Sequence, residues 1–107
     1  MVKKILVTAA LPYANSELHI AHARSTYIPA DIYVRYQRLK GNEVYYVCGS
    51  DEHGTPISLM AEKEGVPPIK IAERYYKRDM EDFQRLGISF DNFSRTTKKI
   101  HYETTQW

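Results

Sequence analysis

The sequence predicts an α/β fold with a parallel sheet, and three observations predict it. Two short runs, Lys4–Thr8 (KILVT) and Val44–Cys48 (VYYVC), are rich in apolar, β-branched and aromatic residues, the composition of strands buried within a parallel sheet. Between them, from about His19 to Lys40, lies a stretch of helical period, and further helical segments follow the second run. Strand, helix, strand, helix is the βαβ order, whose crossover is right-handed.

Each element has its own justification. KILVT is continuous enough to be a strand buried on both faces, and Pro12 ends it. Ile28, Ile32, Tyr36 and Leu39 follow one another at spacings of four, four and three, one face of a helix. Pro29 either starts that regular helix or kinks it, because proline removes a backbone bond. Gly41 stands where a helix stops. VYYVC is the second strand, broken by Gly49–Pro56 (GSDEHGTP). Thr55 and Pro56 suit the N-cap and first residue of a short helix that Gly65 closes. Pro67 and Pro68 open the next helix, on which Ala72, Tyr76, Met80, Phe83 and Leu86 form an apolar stripe up to Gly87. Ile88–Phe93 (ISFDNF) is a weaker third strand, and Lys98–Trp107 is helical to the last residue. Two or three parallel strands lack the neighbours and covering helices that such sheets need. Residues 1–107 are therefore expected to form a single, partial domain.

The chain has 107 residues, 43% of them hydrophobic, enough for a globular core with little to spare. Fifteen basic against thirteen acidic residues leave +2, with no long run of one sign. Charge therefore selects no partner and makes no case for nucleic acid. Cys48 is the only cysteine, so neither an intrachain disulfide nor a thiolate zinc site can form, and a reducing, cytoplasmic setting is expected. The opening MVKKILVTAAL has the outline of a signal peptide. Its apolar run is short and β-branched, however, and Pro12 and Asn15 follow at once. No stretch approaches a membrane-spanning length, and no membrane partner is expected.

Parallel strands of a βαβ unit present their C-terminal ends on one rim, where open α/β sheets bind ligands. Both predicted strands lead into polar clusters: Tyr13, Asn15, His19 and His22 after the first, Ser50, Asp51, Glu52 and His53 after the second. The two clusters are expected to meet. His19 and His22, three apart near a helix start, suit an anion. Neither G-x-G-x-x-G nor G-x-x-x-x-G-K-[ST] occurs, so imidazole donors would replace the glycine cradle and stabilise charge on phosphoryl oxygens in a displacement. Asp51 is an anion beside them that suits an amino group.

Other readings stay open on these residues alone. A histidine pair of this spacing is often only an accident of the surface or of a helix N-terminus. His19 and His22 with Asp51 or His53 would be a metal site, although no recognised zinc spacing is present. Cys48, at the end of a strand with no basic neighbour, fits the core better than a nucleophile's role. Most of the nine tyrosines lie on apolar faces or strands; Tyr13, in the rim loop, is the exception.

The run ALPYAN followed by His-x-x-His resembles the first signature of class I aminoacyl-tRNA synthetases, and in its details that of the methionyl-tRNA synthetases. RSTYIPADIYVRYQRLKGNEVYYVCGSDEHGTPI, Arg24 to Ile57, looks like the archaeal and eukaryotic type, and the resemblance covers essentially the whole chain. It implies that the sheet is the first half of a Rossmann-like (HUP-type) nucleotide-binding fold, incomplete, with residues 1–107 the N-terminal part of the catalytic domain. It also implies a methionine--tRNA ligase: methionine attacks the α-phosphate of ATP, pyrophosphate leaves, and methionyl-adenylate passes to tRNA(Met). On that resemblance His19 and His22 bind ATP and stabilise the transition state, with Mg²⁺ assisting. Pro12 and Asn15 shape the ATP-side loop, Leu11 and Tyr13 line the methionine pocket, and Asp51 with the Leu11 backbone holds the amino group. His53 and Gly54 belong to the same rim.

Two departures stand out. The family tetrapeptide is His-x-Gly-His, and here it is His19-Ile20-Ala21-His22. The Ala21 methyl is expected to crowd the adenine and weaken ATP binding. Family members also continue well beyond this length, into the second half of the sheet, a Lys-Met-Ser-Lys-Ser loop, an inserted domain with zinc knuckles and an anticodon-binding domain. Zinc is expected only in those parts. The chain is thus expected to hold half of an adenylation site, to be inactive alone, and to self-associate where its sheet edges stay uncovered. The alternatives are a small nucleotidyltransferase that uses His-x-x-His for phosphate, and a non-catalytic free-standing fragment.

Overall fold

The computed structural model describes residues 1–107. Strands β1 (Lys4–Thr8), β2 (Glu43–Ser50) and β3 (Asn92–Arg95) form one sheet in that order, and both pairs are parallel. β1 pairs with the first part of β2, Lys4 opposite Glu43 through Thr8 opposite Val47. β3 takes the last part, Val47 opposite Asn92 through Ser50 opposite Arg95.

The β1–β2 connection is helical in three pieces: α1 (Ile20–His22), a π-helical turn (Ala23–Tyr27) and α2 (Ile28–Leu39). The wide turn is closed by the Ile28 N–H donating to the Ala23 carbonyl. Pro29 falls in the first turn of α2, where a missing N–H costs nothing, so it starts the regular helix. α2 stops as expected at Gly41, whose φ of +83° lets Gly41 N–H reach Arg38 and Asn42 N–H reach Gln37.

The stripe expected to bury α2 faces outward instead: Ile32, Tyr36 and Leu39 are 62%, 55% and 88% exposed. Val34 and Asp31 are the buried positions, Val34 against Val44 and Tyr46 of β2. An acid can sit there because the Ser89 amide and hydroxyl and Arg35 Nε all donate to it. Burial pushes the Asp31 carboxyl up, and those donors outweigh it and hold the group below its ordinary value.

β1 is likewise not buried on both faces. Ile5 and Val7 pack toward the Val34–Tyr46 cluster, whereas Leu6 is 68% exposed, with Tyr45 opposite it on the uncovered face. β2 runs past Cys48 through Ser50 because Gly49 and Ser50 pair with β3. The third strand is displaced from Ile88–Phe93 to Asn92–Arg95. Ile88 and Phe90 still enter the core, but from a loop: the Phe90 ring lies 4.5 Å from Tyr46 and 5.1 Å from Phe83.

α3 (Thr55–Glu64) is capped by Gly54, so Thr55 is its first residue and not its cap. It packs through Ile57 and Ala61 on Ile71 and Ala72 of α4 (Pro68–Leu86), with Ala14 of the β1 loop in the same cluster. α5 (Lys99–Gln106) buries no residue. No helix is long and apolar enough to cross a membrane.

Candidate functional site

The loops that leave β1 and β2 are bonded to each other. Asp51 N–H donates to the Pro12 carbonyl and Ala14 N–H to the Asp51 carbonyl, both at 2.9 Å, which carries the parallel pairing one bridge beyond the strands, at Tyr13–Asp51. The Tyr13 hydroxyl donates to the His53 carbonyl at 2.7 Å. Gly54 has φ +123°, and a Cβ there would lie 2.3 Å from the Tyr13 hydroxyl oxygen, so only glycine fits. Ala14, fully buried, anchors the same loop to the α3–α4 cluster.

His19 is the cap of α1, with extended backbone at φ −82°, ψ 143°. Its Nδ1 accepts the Ala21 N–H at 3.1 Å, which leaves Nε2–H as the donor of the neutral ring. His22 follows in α1, its ring 6.0 Å from that of His19, and both side chains are exposed. The histidines stand, as expected, at the start of a long helical run, which continues without a break from Ile20 to Leu39 and is widened by the π-helical turn.

A cleft of about 340 Å³ opens between this loop and α4, bordered by Pro12, Tyr13, Asn15, Thr26, His22 and Asp79 among others. A second of about 340 Å³ lies over the C-terminal ends of the strands, bordered by Cys48, Gly49, Ser94, Thr96 and His101. Leu11 borders both. His19, Ala21 and Asp51 border neither. His22 borders the first cleft, the His19 ring lies 6.0 Å from that of His22, and Asp51 is joined to the cleft's loop through its backbone. His53 turns toward β3 and α5, its Nε2 3.3 Å from the Thr96 carbonyl and its ring 5.9 Å from Tyr102.

Glu52 belongs to the second polar cluster, but its bonds are internal. Arg95 Nε donates to both carboxylate oxygens at 2.6 and 3.0 Å and the Thr97 hydroxyl at 2.8 Å, and the Glu52 amide donates to Thr96 Oγ1. These bonds fix the β2 loop to the end of β3. Burial pushes the Cys48 thiol up to about 11, so it is no thiolate nucleophile at neutral pH.

Asp79 is the cleft residue that sequence reasoning missed. It is 1% exposed on α4, and neither carboxylate oxygen has a hydrogen-bond partner. Burial, and then the charge of Asp82, push its carboxyl up to about 7. The available signal was its position three after Tyr76 and four before Phe83, an acid on the apolar stripe. No group of three or more His, Cys, Asp and Glu side chains is placed to hold a metal ion by itself. The metal reading of His19 and His22 with Asp51 or His53 thus lacks its ligand set.

Residues 5–107 match the family of class I tRNA synthetases (M). The methionine--tRNA ligase of Methanococcus maripaludis (strain C5) is 59% identical over 103 residues, 96% of this chain and 16% of that protein. That of Chloroherpeton thalassium is 54% identical over 104 residues, 97% of this chain and 15% of that protein. The chain thus spans about 15% of the length of such relatives. The structure of Mycobacterium tuberculosis methionyl-tRNA synthetase in complex with methionyl-adenylate superimposes with a TM-score of 0.93 at 36% identity, over 98% of this chain and 20% of that one.

Proposed function

The chain belongs to the class I tRNA synthetases (M), and from that premise we propose that residues 1–107 supply one half of a methionine-adenylating site, as the N-terminal part of a methionine--tRNA ligase catalytic domain. The reaction joins a methionine carboxylate oxygen to the α-phosphorus of ATP and breaks the bond to pyrophosphate. His22, in the cleft wall, and His19, through Nε2–H, donate to the phosphate oxygens as charge builds there. Pro12 and Asn15 shape the nucleotide side, and Ala21 lies against the base. Leu11, bordering both clefts, and Tyr13 take the methionine side chain, while Asp51 receives the amino group. Gly54 and His53 serve this arrangement by accommodating and accepting the Tyr13 hydroxyl.

A divalent cation fits this reading because an unpaired carboxylate, Asp79, borders the same cleft as His22. When bound, Mg²⁺ supplies charge neutralisation for the triphosphate. Transfer to tRNA(Met), a cytoplasmic setting and self-association through the unpaired edges of β1 and β3 belong to the same proposal.

One observation carries the reading: Pro12, Asn15 and His22 share a cleft whose loop is bonded, backbone to backbone, to Asp51. Titration calorimetry with ATP tests it. Charge-assisted hydrogen bonds of this kind are worth roughly 1.5–3 kcal/mol, so His22→Ala is expected to weaken binding by about tenfold or more. Equal affinities of variant and wild type would overturn the assignment.

A further inference from the structure

Neither oxygen of the buried Asp79 side chain has a hydrogen-bond partner among the chain's own atoms. The charge that bears on it is that of Asp82 on its own helix, which is not cationic. The adjacent basic residue on α4, Arg78, is already paired with Glu17. A buried carboxylate in this position calls for a positive partner from outside the fold.

Its place says which partner. Asp79 borders the cleft that also holds His22, Asn15 and Thr26. On the nucleotide reading above, on which this inference rests, that cleft takes phosphate groups. A carboxylate and a triphosphate in about 340 Å³ repel each other unless a cation stands between them. Magnesium-type ions use one or two carboxylates together with substrate phosphates and do not need a complete protein cage. No such cage exists here. We propose that Asp79 receives a divalent cation carried into the His22 cleft by the phosphates of the ligand. Asn15 and Thr26 border the same cleft as Asp79 and offer it neutral oxygens.

Manganese, as a paramagnetic substitute, tests this on the ¹⁵N-labelled chain with ATP as ligand. Amide resonances around Asp79, Tyr27 and Thr26 are expected to broaden on adding Mn²⁺ when ATP is present, and far less when it is absent. In Asp79→Asn the Mn²⁺ concentration needed is expected to rise about tenfold or more, while metal-free ATP shifts the His22 amide at least as readily as in wild type. Asp79→Glu, which keeps the charge, and Glu81→Gln, exposed on the same helix, are expected to retain the wild-type response. The ATP shift at His22 also reports whether each variant is folded. An unchanged Mn²⁺ response in Asp79→Asn overturns the proposal, as does broadening that is equally strong without ATP. Failure of ATP to shift His22 in the wild type overturns the nucleotide reading itself, and the proposal with it.

Discussion

The Tyr13 hydroxyl donates to the His53 carbonyl at 2.7 Å and fills the space that a side chain on residue 54 would need. Together with the Tyr13–Asp51 bridge it makes one unit of two loops that leave different strands. The candidate site exists because these loops are held, and the fold can be probed at that point.

Gly54→Ala meets both an unfavourable φ and a hydroxyl oxygen 2.3 Å from the new methyl. It is expected to destabilise the chain by about 1–3 kcal/mol in urea unfolding. Gly41 shares a positive φ, but a Cβ there meets nothing within 4 Å, so Gly41→Ala is expected to cost less. Introducing Tyr13→Phe should lower the cost of Gly54→Ala. Independent, additive effects of the two changes would argue against the contact.

The Glu52–Arg95 pair should behave as a buried ion pair. The Glu52 side chain has no exposed surface and Arg95 is 18% exposed. Arg95→Met leaves a carboxylate buried with only Thr97 as a side-chain donor, and is expected to cost about 3–5 kcal/mol. Arg74→Met, at the exposed Glu64 pair, is expected to leave stability nearly unchanged, because solvent screens that pair. Chemical denaturation of the two variants compares them directly.

Asp79 sets a pH dependence of definite sign. In the unfolded chain the carboxyl titrates near 3.8, and in the fold near 7. Between those values the folded state holds the extra proton, so stability falls as pH rises through that window and levels off above it. Asp79→Asn removes the effect. The variant is expected to gain on wild type by roughly 2–4 kcal/mol between pH 4 and pH 8. Parallel unfolding midpoints of the two proteins across that range would contradict the burial argument. Asp31, held below its ordinary value, works in the opposite direction: its contribution is present above the unfolded value and is lost as pH falls through the folded one.

Ala21→Gly removes the methyl that departs from the His-x-Gly-His pattern, while the backbone N–H that His19 Nδ1 accepts remains. ATP is expected to bind the glycine variant more tightly than the wild type. Equal affinities in a nucleotide titration would show that the methyl does not meet the base.

What the sequence disclosed and what it hid follow from how local each signal is. Gly41, Gly65 and Gly87 stop their helices through a positive φ, a property of one residue, and all three stops were legible. Pro68 likewise opens α4 on its own account. The position of β3 depends on pairing with Gly49 and Ser50, which no local pattern in ISFDNF encodes. The outward face of α2 was misread because Asp31 holds a core position through partners as distant as Ser89. At the site, the meeting of the two loops followed from strand order. The presence of Asp79 in the cleft wall did not, since it depends on how α4 packs against the distant β1 loop.

The most direct measurement is a resonance-by-resonance titration of the labelled chain, first with ATP and then with methionine. ATP is expected to shift the amides of Asn15, His19 and His22, and methionine those of Leu11, Tyr13 and Asp51. Perturbations scattered away from these two loops, or none at ligand concentrations far above cellular ones, would contradict the proposed site.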